Sequence, residues 1–388
     1  MDWHHCIPRT RFVLAVPLAS MALLIAPALA GAGVAEAQAA SCSSWVTSPP
    51  PSPGTRGNEL HGVAALSPCN VWAVGDYSNN GSATELALAE HFNGTSWKVV
   101  HTPEPGQINQ LRAVSAISAK NVWAVGHVDG STLILHWNGT SWARVPSPTP
   151  GTGSDLSGVV AVSSTSAWAV GTSPVGSTST QTLVLHWNGK KWARTASPSP
   201  GINSRLDAVT GVSASNAWAI GSYASGTTGK TLILHWNGTK WVRAASPNPS
   251  GPVTEMDLVG VSAASAGSAF AVGTYVGGGN QNTITLRWNG SAWKIVANPS
   301  PGQEPSLAGV SAISASNAWA VGAYQAGSTT QTLIMHWDGR AWDQVVSPAP
   351  GTGSGLTSVA ATSAGNVWAV GTYDNSTGPE QVLAVHCC

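Results

Sequence analysis

An all-β fold, a seven-bladed β-propeller of four-stranded antiparallel blades, is predicted by three observations on this 388-residue chain. A unit of roughly 50 residues repeats from about residue 58 to the C-terminus, the length of a four-strand propeller blade. A central motif, Val71-Trp72-Ala73-Val74-Gly75, recurs at Trp123, Trp168, Trp218, Phe270, Trp319 and Trp368. A turn dipeptide sits at one fixed place in each copy, as Asn93-Gly94, Asn138-Gly139, Asn188-Gly189, Asn237-Gly238, Asn289-Gly290 and Asp338-Gly339.

The second copy shows how each strand is read. Period and turn chemistry place an inner strand at Leu111–Ser118, a second at Asn121–Val128, a third at Thr132–Trp137 and an outer fourth at Trp142–Ser147. Both faces of the inner strands are apolar, as packing between two neighbouring blades requires. Asn-Gly supplies the positive dihedrals of a two-residue type I′ hairpin, which is expected to join the third and fourth strands. Inner strands are expected to begin near 60, 111, 156, 206, 256, 307 and 356, within a single domain spanning 40–388. Outer-strand Lys98, Arg144, Arg194, Arg243 and Lys294 read as guards against edge-to-edge pairing.

Composition narrows the function. Lys+Arg number 17 against 17 Asp+Glu, so no net basic field gathers phosphate, and nucleic acid and anionic membrane are poor partners. The 43 Gly and 25 Pro are offset by regularly spaced Trp, Val, Ile and Leu, enough burial for an ordered chain. No separate catalytic domain fits beside seven blades.

Residues 1–39 read as a signal peptide. Arg9 and Arg11 precede the apolar stretch Phe12–Leu29, with cleavage after Ala30 or Ala39. No stop-transfer pattern follows, so export without stable membrane insertion is expected. Ser41-Cys42 is a poor match to a lipoprotein site, which makes lipidation the lesser alternative.

The two ends complement each other. Ser44-Trp45-Val46-Thr47 matches an outer strand yet precedes the first inner strand, while the last copy stops at His386-Cys387-Cys388 without one. An N-terminal strand at about 43–49 is therefore expected to complete the last blade. Cys42 and Cys388 then take the Asn and Gly slots of a hairpin turn whose peptide link is missing, and a disulfide is predicted there. Cys69 lies on the same face in the adjacent blade, so two disulfides among Cys42, Cys69, Cys387 and Cys388 are expected, with connectivity open.

These motifs resemble the secreted bacterial propellers of the kelch and galactose oxidase superfamily. Val-Trp-Ala-Val-Gly with Trp-Asn-Gly-Thr-Ser-Trp is also similar to tectonin-type lectin repeats. The kelch double glycine is absent, since one Gly follows Trp-Ala-Val. The cysteines cluster at the seam and form no recognisable ligand set, so copper oxidase chemistry is not implied.

Every Trp beyond Trp3 falls in one of three repeat slots, which assigns the rings to blade packing. His91, His136, His186, His235, His336 and His386 share another slot, with Arg287 in the one remaining copy. Lying on different blades, they cannot converge on a metal, and a repeated hydrogen bond to backbone is expected. Tyr77, Tyr223, Tyr275, Tyr324 and Tyr373 each follow the motif Gly by two residues, where the second strand enters a variable loop. They read as a broken ring for stacking on sugars or gripping a protein, or else as caps on the blade interfaces. A further variable slot near the channel holds His61, Arg112, Ser157, Asp207, Asp257, Ala308 and Thr357. There Asp207 and Asp257 are placed to face one another, as a paired-carboxylate hydrolase or calcium site needs, with solvated loop charges as the alternative.

The expected function is a secreted, non-catalytic, monomeric binding module for extracellular glycan or protein, with no cofactor or metal. The alternatives are a glycoside-acting hydrolase or lyase using Asp207, Asp257 and His61, and a structural cell-surface protein.

Overall fold

The computed structural model describes residues 44–79, 84–376 and 378–387, with the predicted leader, Cys42 and Cys388 lying outside them. Every regular element among the described residues is a β-strand. Five sheets of four antiparallel strands stand alone, and two further four-stranded groups are joined by a single parallel bridge between Thr330 and Gly353. Each group is one copy of the sequence repeat, and each is a propeller-type blade.

The second blade is β6 (Asn109–Ser118), β7 (Asn121–Val128), β8 (Ser131–Trp137) and β9 (Trp142–Arg144). The outer strand is thus shorter than the predicted Trp142–Ser147, because the Pro-rich run that follows has too few N–H groups to extend the ladder. The last blade pairs β26 (Gly353–Ser363) with β27 (Asn366–Asp374), and β27 with β28 (Gln381–Cys387). Its fourth strand is β1 (Trp45–Thr47), with Trp45 opposite Cys387. This is the register of Trp142 opposite Trp137 in the second blade.

The Asn-Gly turn differs from the expected two-residue hairpin. Only the glycine has positive φ, +100° at Gly139, and the loop runs Asn138 to Ser141. Asn138 Oδ1 accepts from the backbone N–H of Thr140 at 2.9 Å and of Ser141 at 3.0 Å. The side chain stands in for a backbone acceptor, so a wider turn is satisfied. The paired positive dihedrals occur instead at Asp129 (φ 47°) and Gly130 (φ 72°), between β7 and β8.

Between blades the core is aromatic. The second-strand Trp of one blade packs against the third- and fourth-strand rings of the next. Trp123 lies 5.0 Å from Trp187 and 5.2 Å, edge-on, from Trp192. Pairs of this kind are worth about 0.5–1.5 kcal/mol beyond area burial. The chain of rings runs onward until Trp368 of the last blade meets Phe92 at 4.8 Å and Trp97 at 5.4 Å in the first.

The repeated histidines are corrected in one respect. Their Nε2 atoms meet side chains at the start of the second strand rather than backbone, as His136 with Asn121 Oδ1 at 3.0 Å and His235 with Asn216 Oδ1 at 3.1 Å. The backbone carbonyls there are already committed to the ladder. Each ring also lies on the motif Trp, 4.3 Å away for His136 on Trp123. In the fifth blade, where Arg287 replaces His, the guanidinium reaches Ala315 O at 3.2 Å.

Candidate binding face at the channel mouth

Each inner strand carries the same irregularity. In the first blade, β2 (Gly57–Ser67) pairs Leu60 with Gly75 of β3 (Asn70–Ser78), then skips to Gly62 with Val74. His61 is the extra, unpaired residue. The skip recurs at Arg112, Ser157, Asp207, Val259, Ala308 and Thr357. A bulge re-aims its side chain and increases twist. All seven of these residues line one cavity of about 200 Å³ on the inner strands.

The bulge explains the invariable glycine of Trp-Ala-Val-Gly. It turns the carbonyl before the apolar residue onto that glycine, so a Cβ on Gly221 would stand 2.1 Å from Arg205 O, and one on Gly126 2.0 Å from Gln110 O.

Blade five departs from the expected placement of Asp257. Asp257 pairs with Thr274, and Leu258 with Gly273, which makes Val259 the bulge residue there. Asp257 belongs one slot earlier, beside Arg205 and Asp155 in their blades. Met256, buried and apolar, takes the appearance of the leading residue that Leu258 actually is. Asp207 and Asp257 nevertheless approach one another, separated by Arg205 of β14 (Ile202–Ser213). Its Nε donates to Asp207 Oδ2 at 3.0 Å and its Nη2 to Asp257. The pair is therefore a carboxylate–guanidinium–carboxylate bridge across two blades, and Asp207 is no solvated loop charge. Burial drives the Asp207 carboxyl upward and Arg205 only partly restores it, leaving it at about 6.

Two similar groupings lie on the preceding blades. His61 Nε2 lies 2.9 Å from Asp76 Oδ1 and 3.6 Å from Glu59. Arg112 donates to Gln110 Oε1 at 3.0 Å, with its Nε 3.8 Å from Asp155. His127 Nδ1 lies 3.4 Å from the other Asp155 oxygen, an ion-pair separation. Burial pushes Asp155 up, but His127 and Arg112 overcome it and hold the carboxyl below its ordinary range. The mouth is thus polar over the first to fourth blades, with His61, Arg112, Ser157 and Asp207, and lined by Val259, Ala308 and Thr357 in the fifth to seventh. Arg205, Asp76, Asp155 and His127 escaped the sequence reading. An Arg-x-Asp pattern around a bulge was the available signal.

The tyrosines stand at the same end but are half-buried. Tyr77, Tyr223, Tyr275, Tyr324 and Tyr373 each pack on an inter-blade core. Tyr223 OH accepts from Arg243 Nη2 at 2.5 Å, with the guanidinium 4.9 Å from the ring centroid. Capping the interfaces accounts for their packing.

No protein-family model matches the chain, and no curated protein matches it in sequence. Among solved structures it is similar to YCF48 bound to D1 peptide, at 14% identity over 88% of this chain and 96% of that one, with a TM-score of 0.55. YCF48 from Cyanidioschyzon merolae matches at 15% identity over 89% and 98%, also at 0.55. A fungal lectin from Aleuria aurantia, described as a six-bladed β-propeller, matches at 16% identity over 70% and 89%, with a TM-score of 0.45. At these identities the two matches to YCF48 are a likeness of fold alone. The repeated four-stranded antiparallel blades are those of a β-propeller.

Proposed function

We propose that this chain is an exported, seven-bladed, closed propeller whose loop face is a non-catalytic binding site for an extracellular glycan or polypeptide. The observation that carries the reading is the recurrent bulge. One rigid device delivers seven side chains of different chemistry to one cavity, so the ligand contacts vary while the scaffold does not. His61, Arg112, Asp207 and their partners offer donors and acceptors in fixed directions, and the tyrosines rim them. YCF48, whose solved complex holds a D1 peptide, makes a polypeptide a natural occupant to test beside glycans. Closure is supported by β1 pairing with β28 and by Trp368 packing on the first blade. Cys69 and Cys387 are each disulfide-bonded, which fits two disulfides at the seam among Cys42, Cys69, Cys387 and Cys388.

A glycoside-acting hydrolase is the second reading, favoured by the Asp207 carboxyl being raised to about 6, in the direction that a general acid requires. One experiment separates the two. The mature chain is screened on glycan and peptide arrays and assayed for release of reducing ends, beside His61→Ala/Arg112→Ala and Asp207→Asn variants. Selective retention lost in the double variant, without turnover, is expected. Turnover abolished in Asp207→Asn would establish the enzyme instead, and no retention of any ligand would remove the binding reading.

A further inference from the structure

The balance of 17 basic against 17 acidic residues conceals a separation of charge along the blade axis. Acidic side chains gather at the loop end, among them Glu85, Asp129, Asp155, Asp207, Asp257 and Glu304. At the opposite end the first-to-second strand turns meet the Asn-Gly turns, as where a Cβ on Gly139 would touch Lys120. That end carries Lys120, Lys190, Lys191, Lys240 and Arg340, all exposed. Its acidic residues among those described, Asp338 and Asp343, both belong to the sixth blade. The second, third and fourth blades therefore present an unbroken basic arc, extended onto the rim by exposed Arg144 and Arg194.

Aromatic faces lie between these cations. A cleft of about 440 Å³ opens between the first and second blades, and His91, Asn93, Lys98, His101, Trp137 and Thr140 line it. Trp137 is half-buried and held by its Nε1 donating to Ala119 O at 3.1 Å. Trp187 and Trp236 are anchored in the same way, to Ser164 O at 3.2 Å and Ala214 O at 3.1 Å. Fixed indole rings alternate with Lys side chains from one blade to the next.

We infer that this turn face is a second binding surface, for a linear anionic polysaccharide. Sugar rings stack on indole faces, while uronate or sulfate groups meet the lysines, and the blade repeat matches a polymer's repeat, so weak contacts sum along the chain. The turns present Asn, Gly, Thr, Ser and Lys rather than apolar residues, which leaves nothing to enter a lipid surface. The surface is distinct from the loop face of the proposed function, and neither reading depends on the other.

The test applies the mature full-length chain to immobilised heparin and polygalacturonate, with dextran as the neutral control. Duplex DNA and phosphatidylglycerol vesicles are the competing anions. Lys190→Gln/Lys191→Gln/Lys240→Gln removes the centre of the arc on exposed turns, and Lys230→Gln at the loop end is the matched control. Retention by the acidic polysaccharides and not by dextran is expected. Binding should weaken as salt shortens the screening length from about 30 Å at 0.01 M to about 8 Å at 0.15 M. The triple variant should lose affinity roughly tenfold or more and the Lys230→Gln chain should not. Equal binding by the triple variant would overturn the proposal, as would preference for DNA or vesicles, or no retention at low salt. Loss in the Arg112→Ala variant alone would assign the retention to the loop face.

Discussion

Glu90 is the residue most at odds with its surroundings. It takes the slot that Leu135, Leu185 and Leu234 fill in the next three blades, on β4 (Leu86–Phe92). Its side chain is fully buried and both carboxyl oxygens lack a hydrogen-bond partner. Burial pushes the carboxyl up to about 8 from an ordinary 4.5. The folded state then holds the proton more tightly, so stability present below 4.5 is lost as pH rises through about 8. The histidine slot works in the opposite direction. Burial lowers His386 from 6.5 to about 4, so stability present above 6.5 is lost as pH falls through about 4. Thermal melts across pH should show both limbs in the parent chain. Glu90→Gln should abolish the alkaline limb and leave the acid one, and Glu90→Leu should stabilise the fold near pH 8 by about 1–3 kcal/mol. Alkaline limbs unchanged in both variants would mean that the carboxyl finds solvent.

At the scale of the element, the blade was largely legible and its bulge was not. The motif Trp, the Asn-Gly turn and the Pro-rich exit fixed strand order without any contact being known. The bulge is invisible because it adds no unusual residue. It is written only in the glycine opposite, whose cause is a carbonyl that approaches from another strand. The same blindness misplaced Asp257, since Met256 and Leu258 are both apolar and buried, and pattern alone cannot choose between them. The turn was misjudged for a different reason: Asn-Gly carries two meanings, and Asn138 uses its side chain rather than its backbone. Gly221→Ala, at a position with ordinary φ, should cost at least about 1–3 kcal/mol as overpacking against Arg205 O. Gly226→Ala, in the open loop of the same blade with nothing within 4 Å and φ +62°, should cost about 1 kcal/mol for backbone strain alone. Urea melts of the two variants compare them, and equal costs would show that the bulge relaxes.

At the scale of the molecule, six blades inherit their outer strand from continuous chain and the last borrows it. Sequence could read this exchange because Ser44-Trp45-Val46-Thr47 matches an outer strand in kind yet precedes the first inner strand. It could not read how many other contacts fasten the borrowed segment. Ser48 N–H donates to Ala384 O at 2.9 Å and Val382 N–H to Ser52 Oγ at 3.3 Å, while Asn58 Nδ2 of the first blade donates to Glu380 O of the last at 2.9 Å. Across the seam to the first blade, Thr357 Oγ1 donates to Leu60 O at 2.6 Å. Cys387 fills the slot of a third-strand Trp beneath Trp45 and Trp319, so the disulfide proposed there would offset the burial that an aromatic ring supplies in the other blades. Disulfides closing long loops contribute about 2–4 kcal/mol. Reduction should therefore lower the melting temperature and open the 44–50 segment to limited proteolysis before any other part of the chain. A melt and cleavage pattern indifferent to reductant would mean that strand pairing and the Trp368–Phe92–Trp97 contact hold the last blade to the first without help. In that case Trp368→Ala should open the same segment, whereas Trp123→Ala, in a seam with no borrowed strand, should not.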